Sequence, residues 1–496
     1  MRWKEFCRSQ EGASLVFVAV TLPALVGFGL LAVDASRVYN LHYDLQKGAD
    51  AFALAAAAEL DRSGDACERA DRAIDNLLAN QHSLSDLGIH TLVPGDITAN
   101  YLTELPADDD TPIDYGNDEI ANCPTATPDE QRQARFVEVV INPTQITSIF
   151  PATFLGAASN SLQPSASAVA GFGQNVCKFT PFYICNPWEG TGISLEEAAN
   201  DLTERRRLIE LRPSGGTGEF PGSFGYLEAH GGPGAAELRD SIARVNPGAC
   251  FAQDDGVEIE TGAVIGPVRQ AINTRFDIYE GSFNSKKNDP NYRPALNVRK
   301  GLGTLGSDCN PDWDPGAGFM GLPRDDCFSD PATCGREADP PTLLGDGDWD
   351  LTTYWDTNHP GTPFPAGSGW ADTEASRPTR YEVYRAEAFD SSLNEEDSLG
   401  GEDGVPICYS GGTPPSNDPD RRIVYAAVLN CQEIEDDELE EPYPVETFAS
   451  FFLIEPLPTT GGASDPNLYI ELVGINNEGG GEALTNVARD DVQLYR

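Results

Sequence analysis

Residues 13–33 (ASLVFVAVTLPALVGFGLLAV) carry no charged side chain, and their only hydroxyls are Ser14 and Thr21. As an α-helix these roughly 21 residues rise about 31 Å, which matches the hydrocarbon core of a bilayer. The apolar region of a cleaved export signal is shorter, about 7 to 15 residues, and ends at a small-residue cleavage site. Here the run continues to Asp34 and Arg37 without a clear site of that kind, so the segment is expected to remain as an anchor. Arg2, Lys4 and Arg8 precede it, whereas Asp34, Asp44 and Asp50 follow it. Basic residues are retained on the cytoplasmic side, which places the C-terminal bulk outside. Pro23 lies within the span, where its missing donor is expected to kink the helix.

Past the span, Val38, Leu41, Leu45, Gly48, Phe52 and Ala55 recur at steps of three and four, with Asp44, Lys47 and Asp50 between them. This spacing predicts an amphipathic continuation of the same helix to about Leu60. Left in water, each large side chain of the stripe would cost about 1.5 to 3 kcal/mol, so something must cover it. Two covers are open: the chain's own strand at 136–141, or a partner helix. The small residues Gly48, Ala49 and 53–58 favour the partner, which would pack on Leu41, Leu45, Gly48, Phe52 and Ala55.

A chain of 496 residues exceeds one ordinary core. With 49 glycines and 37 prolines it should be rich in turns and short strands outside the N-terminal helix. The expected fold class is α+β. A basic leader (1–12) and a transmembrane helix (13–33) precede a membrane-proximal domain of helix plus strands (34–175), then a loop-rich, disulfide-rich, mainly β exported body (176–496). In the third part a helix is expected near 67–80, an acidic loop at 108–110, an alternating strand at 136–141 and its partner at 165–172. Strands in the last part are expected at 179–184, 208–211, 423–429, 448–454 and 468–473, with mostly loops between 311 and 416.

Cys7 precedes the apolar segment, and ten cysteines follow it: Cys67, Cys123, Cys177, Cys185, Cys250, Cys309, Cys327, Cys334, Cys408 and Cys431. An even number without paired CxxC spacing, in an exported domain, implies up to five disulfides. Chain entropy makes Cys177 to Cys185 and Cys327 to Cys334 the least costly loops to close. Seventy-nine acidic against 33 basic residues give a formal charge of -46, which repels phosphate backbones and excludes nucleic acid as a partner.

Motifs for chemistry are sparse. Gly301, Gly303 and Gly306 fit a dinucleotide fingerprint as a string but run into Asp308-Cys309-Asn310-Pro311, which leaves no helix for a pyrophosphate. Asp346, Asp348 and Asp350 resemble the start of a calcium loop, yet Leu351 stands where the turn glycine belongs and Thr357 where the bidentate acid belongs. These three are weak metal candidates, and calcium is the one cofactor left open. The histidines His42, His82, His90, His230 and His359 fall in no HExxH or paired metal spacing, and neither a GxSxG elbow nor a P-loop occurs. No catalytic or cofactor-binding residue is expected, and the chain reads as a non-enzyme.

The elements EGASLVFVAVTLP (11–23), Ala32-Val33-Asp34, Arg37-Val38-Tyr39, Leu45-Gln46, Ala49-Asp50-Ala51 and Ala53-Leu54-Ala55, in this order, resemble the N-terminal domain of Tad-type (Flp) pilus-assembly proteins of the TadG family. Looser likenesses lie at 165–170, 184–187, 273–279 and 424–431. The resemblance implies a minor-pilin-like or envelope-anchoring subunit, single-pass in the inner membrane of a Gram-negative bacterium, with its N-terminus cytoplasmic and its bulk periplasmic or extracellular. Its partners would be other Tad pilus subunits or assembly proteins. The metal motif DxSxS of some members is not matched by Asp34-Ala35-Ser36-Arg37-Val38, and Phe17 replaces the glutamate that marks prepilin processing. An adhesin with calcium-stabilised loops, or an envelope hydrolase, is the alternative.

Overall fold

The structure is a computed structural model and describes residues 11–61, 63–79, 92–106, 111–142, 146–151, 153, 159–177, 179–213, 221–228, 234–247, 250–252, 256–260, 265–305, 310–312, 320–329, 333–334, 343–389, 393, 404–416, 420–435, 442–458, 467–475, 478–479 and 488–495. It comprises a long apolar N-terminal helix together with mixed helices and sheets, and divides into two compact units. Unit 1 is Met1–Gly173 with Asp490–Arg496, and unit 2 is Gln174–Arg489.

Unit 1 is organised by helix α1 (Glu11–Ala57), which runs through Pro23 without interruption. A turn leads into α2 (Ala66–Ala79), whose Arg69 reaches back to the Glu59 carbonyl at 3.1 Å and pairs with Asp61. That guanidinium satisfies a carbonyl that the end of α1 would otherwise leave orphaned. The antiparallel sheet has β1 (Ile97–Leu102) at one edge, then β2 (Phe136–Ile141), then β5 (Ala166–Cys177), then the C-terminal strand Ala488–Leu494. Two residues each form the small hairpin β3 (Ile146–Thr147) and β4 (Ser161–Leu162).

Alternation on the sheet decides what faces the helix. Val137, Val139 and Ile141 of β2, with Ala166, Ala168 and Ala170 of β5, pack in one cluster with Leu41, Leu45, Ala49, Phe52, Ala53 and Ala56 of α1. The alanines keep the sheet surface low, so leucines on the helix can reach it. On the other face Phe136 and Tyr495 meet edge to face with centroids 5.2 Å apart. Gly171 lies between these rings; a Cβ there would be 2.5 Å from Phe136, a close approach that requires glycine. Cys67 and Cys123 form a disulfide that ties α2 to the segment after β1.

Unit 2 is built on β6 (Phe182–Cys185), β7 (Leu208–Pro213), β8 (Ser223–Tyr226), β10 (Ile423–Leu429), β11 (Thr447–Leu453) and β12 (Leu468–Ile475), with β9 (Cys250–Ala252) pairing to the last residues of β5. Strand β11 pairs with both β10 and β12, and the order β11-β10-β6-β8-β7-β12 therefore returns to its start. Strands such as β10 are buried along their whole length because both faces are covered. Odd and even positions feed two cores. Val424, Ala426 and Val428 join one with helices Ala235–Ala243 and Ile265–Thr274, while Tyr425, Ala427 and Leu429 join the other with helices Leu351–Asn358 and Arg380–Phe389.

The body is thus less β-dominated than its glycine and proline content suggests, and two of those helices fall inside the stretch 311–416 expected to be mostly loops. Buried arginines stand in for regular pairing there. Arg206 donates to the carbonyls of Gly347, Glu374 and Arg377, and Arg275 to those of Ile242, Arg421 and Ile423, at 2.8 to 3.0 Å. Arg206 thus satisfies carbonyls of the irregular stretch, and Arg275 those at a helix end and a strand start outside it.

Candidate functional site

Helix α1 has two surfaces of different character. From Leu15 to Val33 the large apolar side chains are exposed, Phe28 at 71%, and the most apolar part of the helix has a mean hydropathy of 2.5 with none of it buried. This is long and apolar enough to cross a membrane. From Leu41 onward the apolar stripe is covered, with Leu45 only 1% exposed.

Asp34 marks the change. It is 3% exposed and accepts hydrogen bonds from the Ser148 hydroxyl (2.7 Å) and from the N–H groups of Ile149 (3.0 Å) and Phe150 (2.6 Å). Arg37 Nη1 lies 3.3 Å from both Asp34 and the Thr147 carbonyl. The Ser148 hydroxyl above all, then the two N–H groups and Arg37, pull the Asp34 carboxyl down to about 2 against the opposing effect of burial. About two and three turns beyond Asp34, His42 Nδ1 lies 2.9 Å from the Ser165 carbonyl and Gln46 donates to that of Ser167 at 2.8 Å. A polar seam beside the apolar stripe thus fixes the rotation of α1 on its sheet. The sequence signal for it was Asp34, Arg37, His42 and Gln46 on neighbouring helical positions, which the apolar periodicity overshadowed.

The expectation that a partner helix covers Leu41, Leu45, Gly48, Phe52 and Ala55 is corrected by this packing. Leu41, Leu45 and Phe52 are buried against the chain's own β2 and β5, and Gly48 and Ala55 are half-buried at the margin. The alanines that would admit another helix instead bring α1 close to its own sheet. Between α2 and the outer edge of β1 there is a cleft of about 580 Å³ lined in part by Asp71, Asp75 and Glu119. Asp71 is engaged there by the Tyr101 hydroxyl at 2.6 Å.

In unit 2 the acidic triplet does not converge. Asp346 accepts the N–H of Asp348 (3.1 Å), Asp348 pairs with Arg377 (2.5 Å), and Asp350 caps its helix through the Thr353 N–H (2.8 Å). Among the described residues no three metal-ligating side chains are grouped. One buried ionisable cluster centres on Glu387, which accepts from Tyr354 (2.8 Å), His359 (2.8 Å) and Asn297 (3.0 Å) with Arg299 at 3.6 Å. Burial opposes its ionisation, but the His359 hydrogen bond and the Arg299 charge hold its carboxyl below the ordinary range. It is wholly enclosed by the core, and its oxygens are committed to internal donors. Gly301 has a structural reason: its φ is +72° and a Cβ would lie 2.1 Å from the Gly321 nitrogen.

Three disulfides join described residues: Cys67–Cys123, Cys185–Cys431 and Cys327–Cys334. Cys185 is therefore not joined to Cys177, the short loop that chain entropy favoured. Strands β6 and β10 lie side by side with Leu429 opposite Cys185, which delivers Cys431 to it. Cys177 and Cys250 are directly opposite on paired strands, and Cys408 is disulfide-bonded. Cys7, Cys309, Gly306, the loop 108–110 and the histidines His82, His90 and His230 lie outside the described residues.

Residues 12–59 match the Tad family of Flp pilus-assembly, TadE/G-like proteins. This part of the chain is a TadE/G-like segment. It coincides with α1, taking in the exposed apolar half, Asp34 and the buried stripe, and ends in the turn before α2. No curated protein and no solved structure matches the chain. The Tad match supports a pilus-related role.

Proposed function

We propose that this chain is a non-enzymatic, membrane-anchored component of a Tad-type pilus-assembly apparatus, a minor-pilin-like or envelope-anchoring subunit. The observation that carries the reading is that one continuous helix, the one matching the TadE/G-like family, is apolar and exposed over 15–33 and is core over 41–57. In this reading the first half spans the inner membrane and the second half holds unit 1 against it. The basic leader sets the N-terminus in the cytoplasm and both units outside. Tyr39, exposed about one and a half turns past Asp34, suits a headgroup layer, where aromatic side chains with a polar tip concentrate. Other Tad subunits would be met by the exported surfaces and the lipid-facing half of the helix.

The double change Leu22→Lys, Val26→Lys tests this. Both side chains are exposed and outside the core, so melting of the units should be unchanged. Each lysine near the span's centre costs about 2.5 to 3.5 kcal/mol on insertion. The chain should leave the membrane fraction, and cells carrying it should lose pili. Normal piliation by a chain found in the soluble fraction would refute the proposal.

A further inference from the structure

We propose that the loop carrying Ile149 and Phe150 is itself embedded in the bilayer, as a wedge in the leaflet on the side of unit 1. This rests on the membrane-anchor reading above and adds a second lipid-contacting element to it.

The argument is one of level. If the span ends at Val33, Gly27 lies six residues inside it, about 9 Å below the hydrocarbon boundary along the helix. A helix tilt of about 20° reduces this depth only slightly. Phe150 is packed at that level, since a Cβ on Gly27 would lie 3.6 Å from Phe150 Cε2. The loop cannot lift away while Asp34 holds the N–H groups of Ile149 and Phe150 and the Ser148 hydroxyl. Phe150 is half-buried against the helix, and Ile149 is 52% exposed among the described residues.

Chemistry at the tip fits lipid rather than water. Irregular backbone at membrane depth must have its polar groups satisfied internally. Both N–H groups end on Asp34, and the single Ser148 proton serves either Asp34 at 2.7 Å or the Phe150 carbonyl at 2.9 Å. The two side chains presented are apolar. A buried carboxylate at the end of an apolar span is explained in the same way: it neutralises the donors of the loop that enters beside it.

The test uses the full chain in nanodiscs of phosphatidylcholine brominated on its acyl chains, against the same lipid without bromine. Tryptophan is introduced by Phe150→Trp, by Ile149→Trp and, as a reference in the span, by Phe28→Trp. The emission of the unsubstituted chain is subtracted in each lipid. The added emission at positions 149 and 150 should lose the same fraction to bromine as at 28. Quenching at 28 with none at 149 and 150 would overturn the wedge and leave the anchor standing. Absence of quenching at all three would overturn the anchor reading and the wedge with it. Melting of each variant in the same nanodiscs shows whether the loop remains seated, and with Ile149 already exposed, Ile149→Trp decides if Phe150→Trp is destabilised.

Discussion

Asp34 and Leu45 lie on one helix in opposite circumstances, and each makes its own prediction. Leu45→Ala removes a side chain enclosed by the sheet and should cost unit 1 about 2 to 5 kcal/mol, and Leu45→Asp should prevent its folding by burying an unpaired charge. Thermal unfolding of the full chain measures this, and an unaltered melt would mean that the stripe is not core. For Asp34 the carboxyl is depressed in the folded state, so the stabilisation it gives is present above its ordinary value of 3.8 and is lost as pH falls towards about 2. Asp34→Asn should remove that acid-side loss while leaving stability at neutral pH lower than in the parent.

Glu189 has the opposite sign. Burial, with Glu446 adding to it, pushes its carboxyl up to about 7 against the N–H of Cys431. Between its ordinary value of 4.5 and about 7 the folded chain holds a proton that the unfolded chain has released. Its contribution therefore favours the folded state at the low end of that window and declines as pH rises through it. Glu189→Gln should flatten this decline in the melting temperature of unit 2. A slope unchanged by the substitution would mean that Glu189 is ionised throughout.

At the scale of elements, α1 shows what a pattern can and cannot settle. A stripe at steps of three and four says that a face is covered but is silent on the cover. Only the small alanines of β5, placed beside β2 by long-range pairing, show that the sheet supplies it. The pairing of 136–141 with the strand beginning at Ala166 was legible because both segments alternate. The four longer helices described in unit 2 were not, since each is only 8 to 10 residues long and set among turns. The C-terminal strand Ala488–Leu494, ARDDVQL, was hidden by its charge, which an edge position tolerates. Of the two short loops that chain entropy favoured, Cys327–Cys334 is closed, whereas Cys185 is joined to Cys431 by strand adjacency instead. Replacing Cys185 and Cys431 together with serine should cost about 2 to 5 kcal/mol and lower the amount of chain in the envelope. Unchanged abundance and melting would make the bridge incidental.

At the scale of the whole molecule, the long apolar N-terminal helix was legible in the sequence and the body was largely not. An apolar run free of charge has few physical outcomes, whereas a core in which arginines cap loop carbonyls looks polar residue by residue. Unit 2 has two cores on the two faces of one strand set, and its ionisable groups serve that packing. The candidate site that matters for function is therefore the helix with two surfaces, apolar and exposed along 15–33 and covered by the chain's own sheet along 41–57, which the proposed function reads as facing lipid and protein in turn. Its claim is tested most directly by adding protease to spheroplasts of cells producing the chain with different epitopes at its two ends. The account predicts that the C-terminal epitope and both units are digested, while a membrane-bound fragment carrying the N-terminal epitope survives until detergent is added. Survival of the C-terminal epitope in intact spheroplasts, or loss of the N-terminal one, would contradict it.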